Sequence, residues 1–129
     1  MIDDRGQALV ELALVLPILL IVALAIGALS EIGVARLALT HAAAEGARTA
    51  ALTNDDRLAN ASIAAASAPL RSGAIEVTIE PTAAQRGSDP RGTLVLVHLR
   101  YVIAAPLSFI GLPAFVVRGD AARSVEWTP

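Results

Sequence analysis

An uncharged apolar run is the feature that most limits what this chain can fold into. Residues 12–30 contain no charged side chain, and most of them are Leu, Ile, Val or Ala. A helix rises about 1.5 Å per residue, so a run of this length can cross the hydrocarbon core of a bilayer. The helical apolar pattern continues beyond Glu31 as far as Leu52. We therefore expect a transmembrane helix over residues 7–30 that extends as an amphipathic helix over residues 31–52.

Two other interpretations of the run are weaker. A cleaved secretory signal has a basic leader and an apolar core of about 7–15 residues. Here the run is longer and continues past the candidate cleavage site at Ala23-Leu24-Ala25, and the leader carries Asp3 and Asp4. A buried helix of a soluble protein would need a larger core than a chain this short can build. A single-pass anchor with a cytoplasmic N-terminus is favoured, and Arg5 agrees with the positive-inside rule.

One acidic residue, Glu11, lies inside the apolar pattern, between Ala8-Leu9-Val10 and Leu12-Ala13-Leu14. An unpaired carboxylate near the centre of a bilayer costs about 2.5–3.5 kcal/mol, so such residues usually mark function or pairing. The alternative is a carboxylate at the level of the lipid headgroups, where water solvates it. Position alone leaves both interpretations open.

Three stretches of the N-terminal half together carry a resemblance to a known family. They are Arg5-Gly6, Val10-Glu11-Leu12-Ala13-Leu14-Val15-Leu16-Pro17 and Ala43-Ala44-Glu45-Gly46-Ala47-Arg48-Thr49-Ala50-Ala51. With them the chain resembles type IV pilin-like proteins, and more narrowly the TadE/TadG-like pseudopilins of tight-adherence (Tad, Flp) pilus systems. The resemblance covers about the first 50 residues, and the C-terminal half is similar only in its pattern of strands. Leu12 stands where the family often has an aromatic residue, and Arg5 is the single basic residue of the leader.

This resemblance implies processing and assembly roles for the residues around the start of the apolar helix. A membrane aspartic peptidase, the prepilin peptidase, would cut after Gly6 and remove residues 1–6 as a leader. The mature chain would begin at Gln7, with Glu11 as its fifth residue. The resemblance also implies structural roles for four further positions, Pro17, Glu45, Gly46 and Arg48. Gly46 is expected to allow close backbone approach.

Beyond Ser30 the helix becomes amphipathic. A narrow apolar stripe recurs at steps of three and four residues, and we expect a sheet to pack against it. Its members are Ile32, Ala35, Leu39, Ala42, Gly46 and Ala50. A second face carries His41, Glu45 and Arg48, spaced so that Glu45 can pair with either neighbour. This second face is typical of a solvated helix surface.

Residues 53–72 predict a second helix and a linker. Thr53 followed by Asp56 is an approximate capping pattern. The helix is expected over about 55–67, anchored by Leu58 and Ile63, and ended by Pro69. Its packed side is predicted to carry Leu58, Ala61 and Ala65.

Residues 73–129 predict a small antiparallel sheet of about three strands. Residues 75–80 alternate, with Ile75, Val77 and Ile79 facing inwards. Residues 93–102 read as a central strand after a loop over 81–92, and residues 116–127 as a third strand. The apolar connector 104–112 belongs either under the sheet or against the membrane surface. The predicted fold class is α+β, with a long N-terminal helix, a short second helix and a sheet packed on the long helix.

No pattern for catalysis or ligand binding stands out. Cysteine is absent, and a net charge of −2 without a basic stripe excludes nucleic-acid binding. His41 and His98 are far apart, have no metal-ligand spacing, and His98 is expected to be a half-buried polar residue. No nucleophile elbow or phosphate-binding loop occurs. We expect no enzyme activity, no cofactor, no metal and no small-molecule substrate.

Two classes of function remain. The first is a minor pilin-like structural subunit that takes part in assembling a tight-adherence type pilus through its N-terminal helix. Its expected partners are membrane lipid, other pilin-like subunits and the prepilin peptidase. The second is a single-pass, membrane-anchored extracytoplasmic binding module that is not incorporated in a pilus. Both place the chain in a bacterial cell membrane with an extracytoplasmic C-terminal domain.

Overall fold

A computed structural model describes residues 4–70, 75–104, 111 and 113–128. The chain divides into two compact units, Met1–Glu31 and Ile32–Pro129. The fold class is α+β, as predicted, with a long N-terminal helix, a short second helix and a three-stranded antiparallel sheet. The elements in chain order are α1 Asp4–Thr53, α2 Asp56–Ala66, β1 Ile75–Glu80, α3 Ala83–Arg86, β2 Leu94–Ile103 and β3 Phe115–Ser124.

The sheet has the order β1-β2-β3, so the most apolar strand is central, as the sequence predicts. Val97 on β2 pairs with Ile79 on one side and Ala121 on the other. Alternate side chains of β2 are buried because side chains of a strand point to opposite faces. The buried set is Val95, Val97, Leu99, Tyr101 and Ile103.

The inner face of the sheet packs on the second half of α1. The predicted apolar stripe is buried there, apart from Ile32, which is half-buried. The stripe is wider than predicted, because Ala43, Ala47 and Ala51 are buried as well. Most of these side chains are methyl groups, so the helix backbone can lie close to the strands. Ile79 of β1 and Val117 of β3 complete the same core.

A close approach between α1 and the sheet occurs at Gly119 on β3. A Cβ atom added at this glycine would lie 2.6 Å from the backbone carbon and 2.7 Å from the Cβ of Leu39. No side chain fits there, and a glycine inside a strand often marks such an approach. Further along, the Ala51 carbonyl accepts hydrogen bonds from the backbone N–H groups of Glu126 and Trp127. β3 and the segment after it therefore follow α1 in the same direction.

The turn between α1 and α2 differs from the predicted capping pattern. Asp55 is the N-cap of α2, and its carboxylate accepts a hydrogen bond of 2.7 Å from the backbone N–H of Arg57. The Thr53 hydroxyl instead donates to the Thr49 carbonyl at 2.7 Å, in the last turn of α1. The prediction failed because Thr53 still belongs to the first helix, where its hydroxyl bonds the carbonyl four residues earlier and accepts only a hydrogen bond of 3.3 Å from the backbone N–H of Asp55.

The packed side of α2 was also predicted wrongly. Ala59 and Ile63 are its buried residues, whereas Leu58 is 50% exposed and Ala61 and Ala65 face solvent. The buried residues and the exposed ones both recur at helical spacing, so periodicity alone does not show which side of α2 is packed. The choice depends on tertiary contact, because Ile63 fills the space that Gly46 leaves open on α1.

Two predictions about the sheet need adjustment. Val77 shares the inner face with Ile75 and Ile79, yet it is 36% exposed, because β1 is an edge strand bordering a crevice beside α2. The predicted loop 81–92 contains the short helix α3. The predicted placement of connector 104–112 falls mainly outside the described residues.

Candidate functional site

The apolar part of α1 exposes its side chains on every face. Large apolar residues from position 9 to 29, Leu24 apart, are 47–68% exposed. Ile18, Leu19, Leu20, Ile21 and Val22 are consecutive and all exposed, so together they cover every side of the helix. A helix that is apolar all round belongs in the core of a large protein or in a membrane. Within the described residues, α1 is long and apolar enough to span a bilayer.

The predicted processing and assembly residues lie at the start of this apolar helix. Gly6, Gln7 and Glu11 are all exposed. The Gln7 side-chain amide donates to the Glu11 carboxylate over 3.5 Å, a long contact between residues four apart on one face. A Cβ atom added at Gly6 would meet no atom within 4 Å, and the backbone there is helical. Packing therefore gives no reason for a glycine at this position.

Pro17 lies inside α1, which is assigned as one helix from Asp4 to Thr53. Its ring nitrogen carries no hydrogen, so the carbonyl one turn before it loses its helical partner. The residue is exposed.

The remaining family positions lie in the packed half of α1. A Cβ atom added at Gly46 would lie 2.5 Å from Cγ1 of Ile63, so this glycine lets the α2 side chain reach the backbone of α1. Glu45 is half-buried, and Arg48 and His41 are exposed. Among the described residues, neither Glu45 nor Arg48 forms an ion pair, so the predicted pairing on this face is absent there.

Sequence reasoning missed a buried ion pair between α2 and α3. The Arg86 side chain is fully buried and its guanidinium contacts the Asp56 carboxylate. The other Asp56 oxygen accepts a hydrogen bond of 2.7 Å from the backbone N–H of Ala83. Asp56 thereby joins the start of α2 to the start of α3. Nothing in the sequence pairs two residues thirty positions apart, although an arginine in a polar loop beside Gly87 could have been flagged as a helix end.

The outer face of the sheet carries charged residues in pairs across the strands. The His98 ring nitrogen Nδ1 lies 2.6 Å from the Asp120 carboxylate, and Arg100 lies 3.2 Å from Glu76. These groups line a shallow groove of about 470 Å³. His98 is on the solvent side rather than half-buried as predicted, because the inner face of β2 takes the odd-numbered residues.

The geometry offers no assembled centre for catalysis in the described part of the chain. No group of three or more His, Asp or Glu side chains that could hold a metal ion occurs there. The distinctive surface is the exposed apolar helix with a glutamate near its start. Its chemistry is that of insertion into lipid and of packing with other apolar helices.

Comparison with known proteins agrees with this assessment of the helix. Residues 6–48 match the family model described as TadE-like protein. The match covers about a third of the chain and begins at Gly6. It includes all seven residues to which the resemblance assigns a role, which are Gly6, Gln7, Glu11, Pro17, Glu45, Gly46 and Arg48. The match confirms the suspected resemblance. No curated protein and no solved structure matches the chain. A TadE-like segment on an apolar helix fits a pilin-like membrane protein of a tight-adherence system.

Proposed function

We propose, on the premise that residues 6–48 are TadE-like, that this chain is a minor pilin-like structural subunit. It takes part in assembling a tight-adherence type pilus through its N-terminal helix, and it has no enzymatic activity. Residues 7–30 hold it in a bacterial cell membrane, with the N-terminus in the cytoplasm and residues 31–129 outside. Its partners are membrane lipid, other pilin-like subunits and the prepilin peptidase.

The observation that carries the proposal is the all-round exposure of the apolar helix together with Glu11 near its start. A plain anchor needs apolar residues only, and an acidic residue weakens it. A subunit that must align with neighbouring helices uses such a charge, because a buried polar group can specify register at a cost in stability.

The first step in this function is removal of the leader. Gly6 has open space around it and is not required by packing. If the peptidase binds the backbone closely just before the cut, it requires the smallest residue, glycine, at that position. Cleavage there makes Gln7 the first residue, with a free α-amino group.

Glu11 acts after cleavage. It lies one helical turn from Gln7, and its carboxylate already lies on the same helix face as the Gln7 side chain. In lipid, the new ammonium group and the carboxylate are each costly alone, and pairing offsets much of that cost. The pair forms within one helix or between neighbours, and in the second case it sets the relative height of two subunits.

Processing is tested by mass spectrometry of the chain purified from membranes that contain an active prepilin peptidase. The expected mass lacks residues 1–6, and Gly6→Leu should remain uncut. Gly27→Leu is the matched control, because Gly27 also has no atom within 4 Å of an added Cβ. It should be cut normally. An intact Met1 on the unmodified chain would contradict processing.

The assembly role is tested by replacing Glu11. Glu11→Ala should leave insertion and leader removal intact, yet abolish co-purification with pilin-like partners and pilus assembly. Glu11→Asp should be intermediate, because the shorter side chain keeps the charge. Glu31→Ala is the control, since Glu31 is an exposed glutamate further along the same helix. If Glu11→Ala assembles normally, Glu11 is only a headgroup-level carboxylate.

The charged groove on the outer face of the sheet favours one second candidate. A membrane-anchored binding module would use that groove, lined by residues such as His98, Arg100 and Asp120, to hold a polar partner. Such a module has no need of a chain that begins at Gln7. N-terminal sequencing separates the two candidates, because only the pilin-like subunit requires removal of the leader.

A further inference from the structure

We propose that the folded unit Ile32–Pro129 has a second contact with the bilayer, separate from the anchoring helix. The contact is a proximal patch, defined as Ile32, Val102, Phe115 and Val116, flanked by Arg36 and Arg118. The patch lies on the surface of a membrane that contains anionic lipid. The inference rests on the membrane anchoring in the proposed function and not on a role in a pilus.

The patch is an exposed apolar end of the sheet. Val102 and Val116 pair across β2 and β3 on the outer face, and they are 42% and 45% exposed. Phe115, the first residue of β3, is 40% exposed although it lies on the inner face. Solvated apolar side chains grouped at one end of a unit are typical of a contact surface.

The patch lies at the end of the unit that continues into the apolar segment. Ile32 and Arg36 of α1 line one groove with Val116, Val117 and Arg118 of β3. Ile32 and Arg36 follow Ser30 by two and six positions, or about 3 and 9 Å of helix rise. The headgroup region on each side of a bilayer is about 5–8 Å thick. Because Ile32 follows Ser30 by only two residues, chain connectivity alone keeps this end of the unit near the membrane surface when the anchor ends near Ser30.

The charges beside the patch match an anionic surface. Arg36 and Arg118 are exposed, and neither forms an ion pair with a described residue. The acidic residue in the same groove, Asp120, contacts the His98 ring at 2.6 Å. Two guanidinium groups beside apolar side chains, both without an ion pair to any described residue, are the arrangement that binds lipid headgroups while the apolar groups enter the interface.

Lipid fits this patch better than a protein partner. A stable protein interface buries at least about 1,000 Å² with a well-packed apolar centre. Three exposed apolar side chains and the half-buried Ile32, with polar rows directly behind them, are too few for such a centre. They are sufficient for shallow insertion by a unit that is already tethered to the membrane, because the tether keeps the local lipid concentration high.

Single-cysteine labelling of the full chain in vesicles tests the inference, because the chain has no natural cysteine. V116C reports on the patch, and S124C at the opposite end of β3 is the distal control. V34C is a control for anchor depth, since Val34 is 61% exposed at the same end of α1 but is not part of the patch. Each site carries an environment-sensitive fluorophore, and the vesicles contain a lipid-attached quencher.

The expected result is strong quenching at V116C in vesicles with anionic lipid and little quenching at S124C. Introducing R36Q and R118Q should weaken binding of the patch to lipid about fivefold for each arginine lost. Replacing phosphatidylglycerol by phosphatidylcholine should also reduce the lipid-bound population, because it removes the anionic headgroups that the arginines bind. The V34C signal should not change with either treatment. Trp127 fluorescence shows that each variant remains folded, because this residue packs against the core.

Three outcomes overturn the inference. The first is quenching at V116C that is no stronger than at S124C. The second is an equal change at V34C and V116C when R36Q and R118Q are introduced together, because such a change reports only anchor depth. Protection of V116C that depends on protein-to-lipid ratio instead of lipid charge assigns the patch to a second copy of the chain. A label at L19C separates the two proposals: if it is water-exposed, the anchoring itself is wrong.

Discussion

The two halves of α1 differ in charge and in surroundings. Residues 12–30 carry no charged side chain, and from position 9 to 29 the large side chains Leu, Ile and Val, Leu24 apart, are exposed around the whole helix. The second half carries charged residues, and its buried residues are nearly all alanines on one side, with Leu39 as the large exception. The lesson is that the solvent a helix meets depends on how its charged and apolar side chains are distributed and on the size of the apolar ones.

The difference has a packing cause. A helix that must lie close to strands benefits from methyl side chains, since each larger group would push the sheet away. A helix in lipid has no such neighbour, and large branched side chains give it more apolar area to bury. The same secondary structure thus serves two purposes within one element of 50 residues.

The comparison is tested most directly by one substitution made in both halves. Leu39→Ala should lower the free energy of unfolding by about 4 kcal/mol, because truncating a fully buried leucine leaves a cavity in the core. Leu19→Ala should leave the folded unit unchanged, since Leu19 is 57% exposed. Urea unfolding of the full chain in mild detergent, followed by Trp127 fluorescence, measures both. Equal losses would show that the two halves do not differ in this way.

A somewhat smaller loss is expected when the buried ion pair is broken. Asp56→Ala should cost about 3 kcal/mol, because it leaves the Arg86 guanidinium buried without a counter-charge. Membrane extraction of the chain should not change, since the apolar half of α1 takes no part in the pair. The same urea titration measures the loss.

Two variants control for this result. Arg57→Ala removes an exposed neighbouring charge and should change stability by less than about 0.5 kcal/mol. The double variant with Asp56→Ala and Arg86→Met should recover much of the loss, because an apolar side chain replaces the stranded cation. If the double variant is no more stable than Asp56→Ala, the loss comes from the lost Ala83 hydrogen bond instead.

The smallest effect comes from glycines on two sides of α1. Gly46→Ala should destabilise by about 1 kcal/mol, because the clash with Ile63 outweighs the gain in helix propensity. Gly33→Ala, where nothing lies within 4 Å, should stabilise by about 0.5–1 kcal/mol. Opposite signs in thermal unfolding of the full chain would support the assigned packed face. The same sign at both positions would contradict it.

Sequence patterns predicted what depends on local periodicity. The long helix, the strands and the central place of β2 follow from runs of apolar residues with a period near 3.6 or 2. Glu11 stands out in the same way, as a charge inside an apolar run, whereas the role of Gly6 is implied by the resemblance to TadE-like proteins. These features can be read within a single element.

The features that sequence reasoning missed depend on two elements meeting. Whether Leu58 or Ile63 faces α1 is decided by the space at Gly46, which no pattern within α2 encodes. The Asp56–Arg86 pair and the contact of Gly119 with Leu39 are likewise visible only after the fold is assembled. The two arginines beside the proximal patch, Arg36 of α1 and Arg118 of β3, are also brought together only when these two elements meet.

The common direction of β3 and α1 has a mechanical consequence. The helix enters the folded unit at Ile32, and the segment that follows β3 is hydrogen-bonded to Ala51 at the other end of the helix. A pulling force between the membrane and the chain beyond Trp127 would act on these two elements in opposite directions along their length. The Leu39–Gly119 contact and the Ala51 hydrogen bonds would then be loaded together, in shear, instead of being peeled apart one after another.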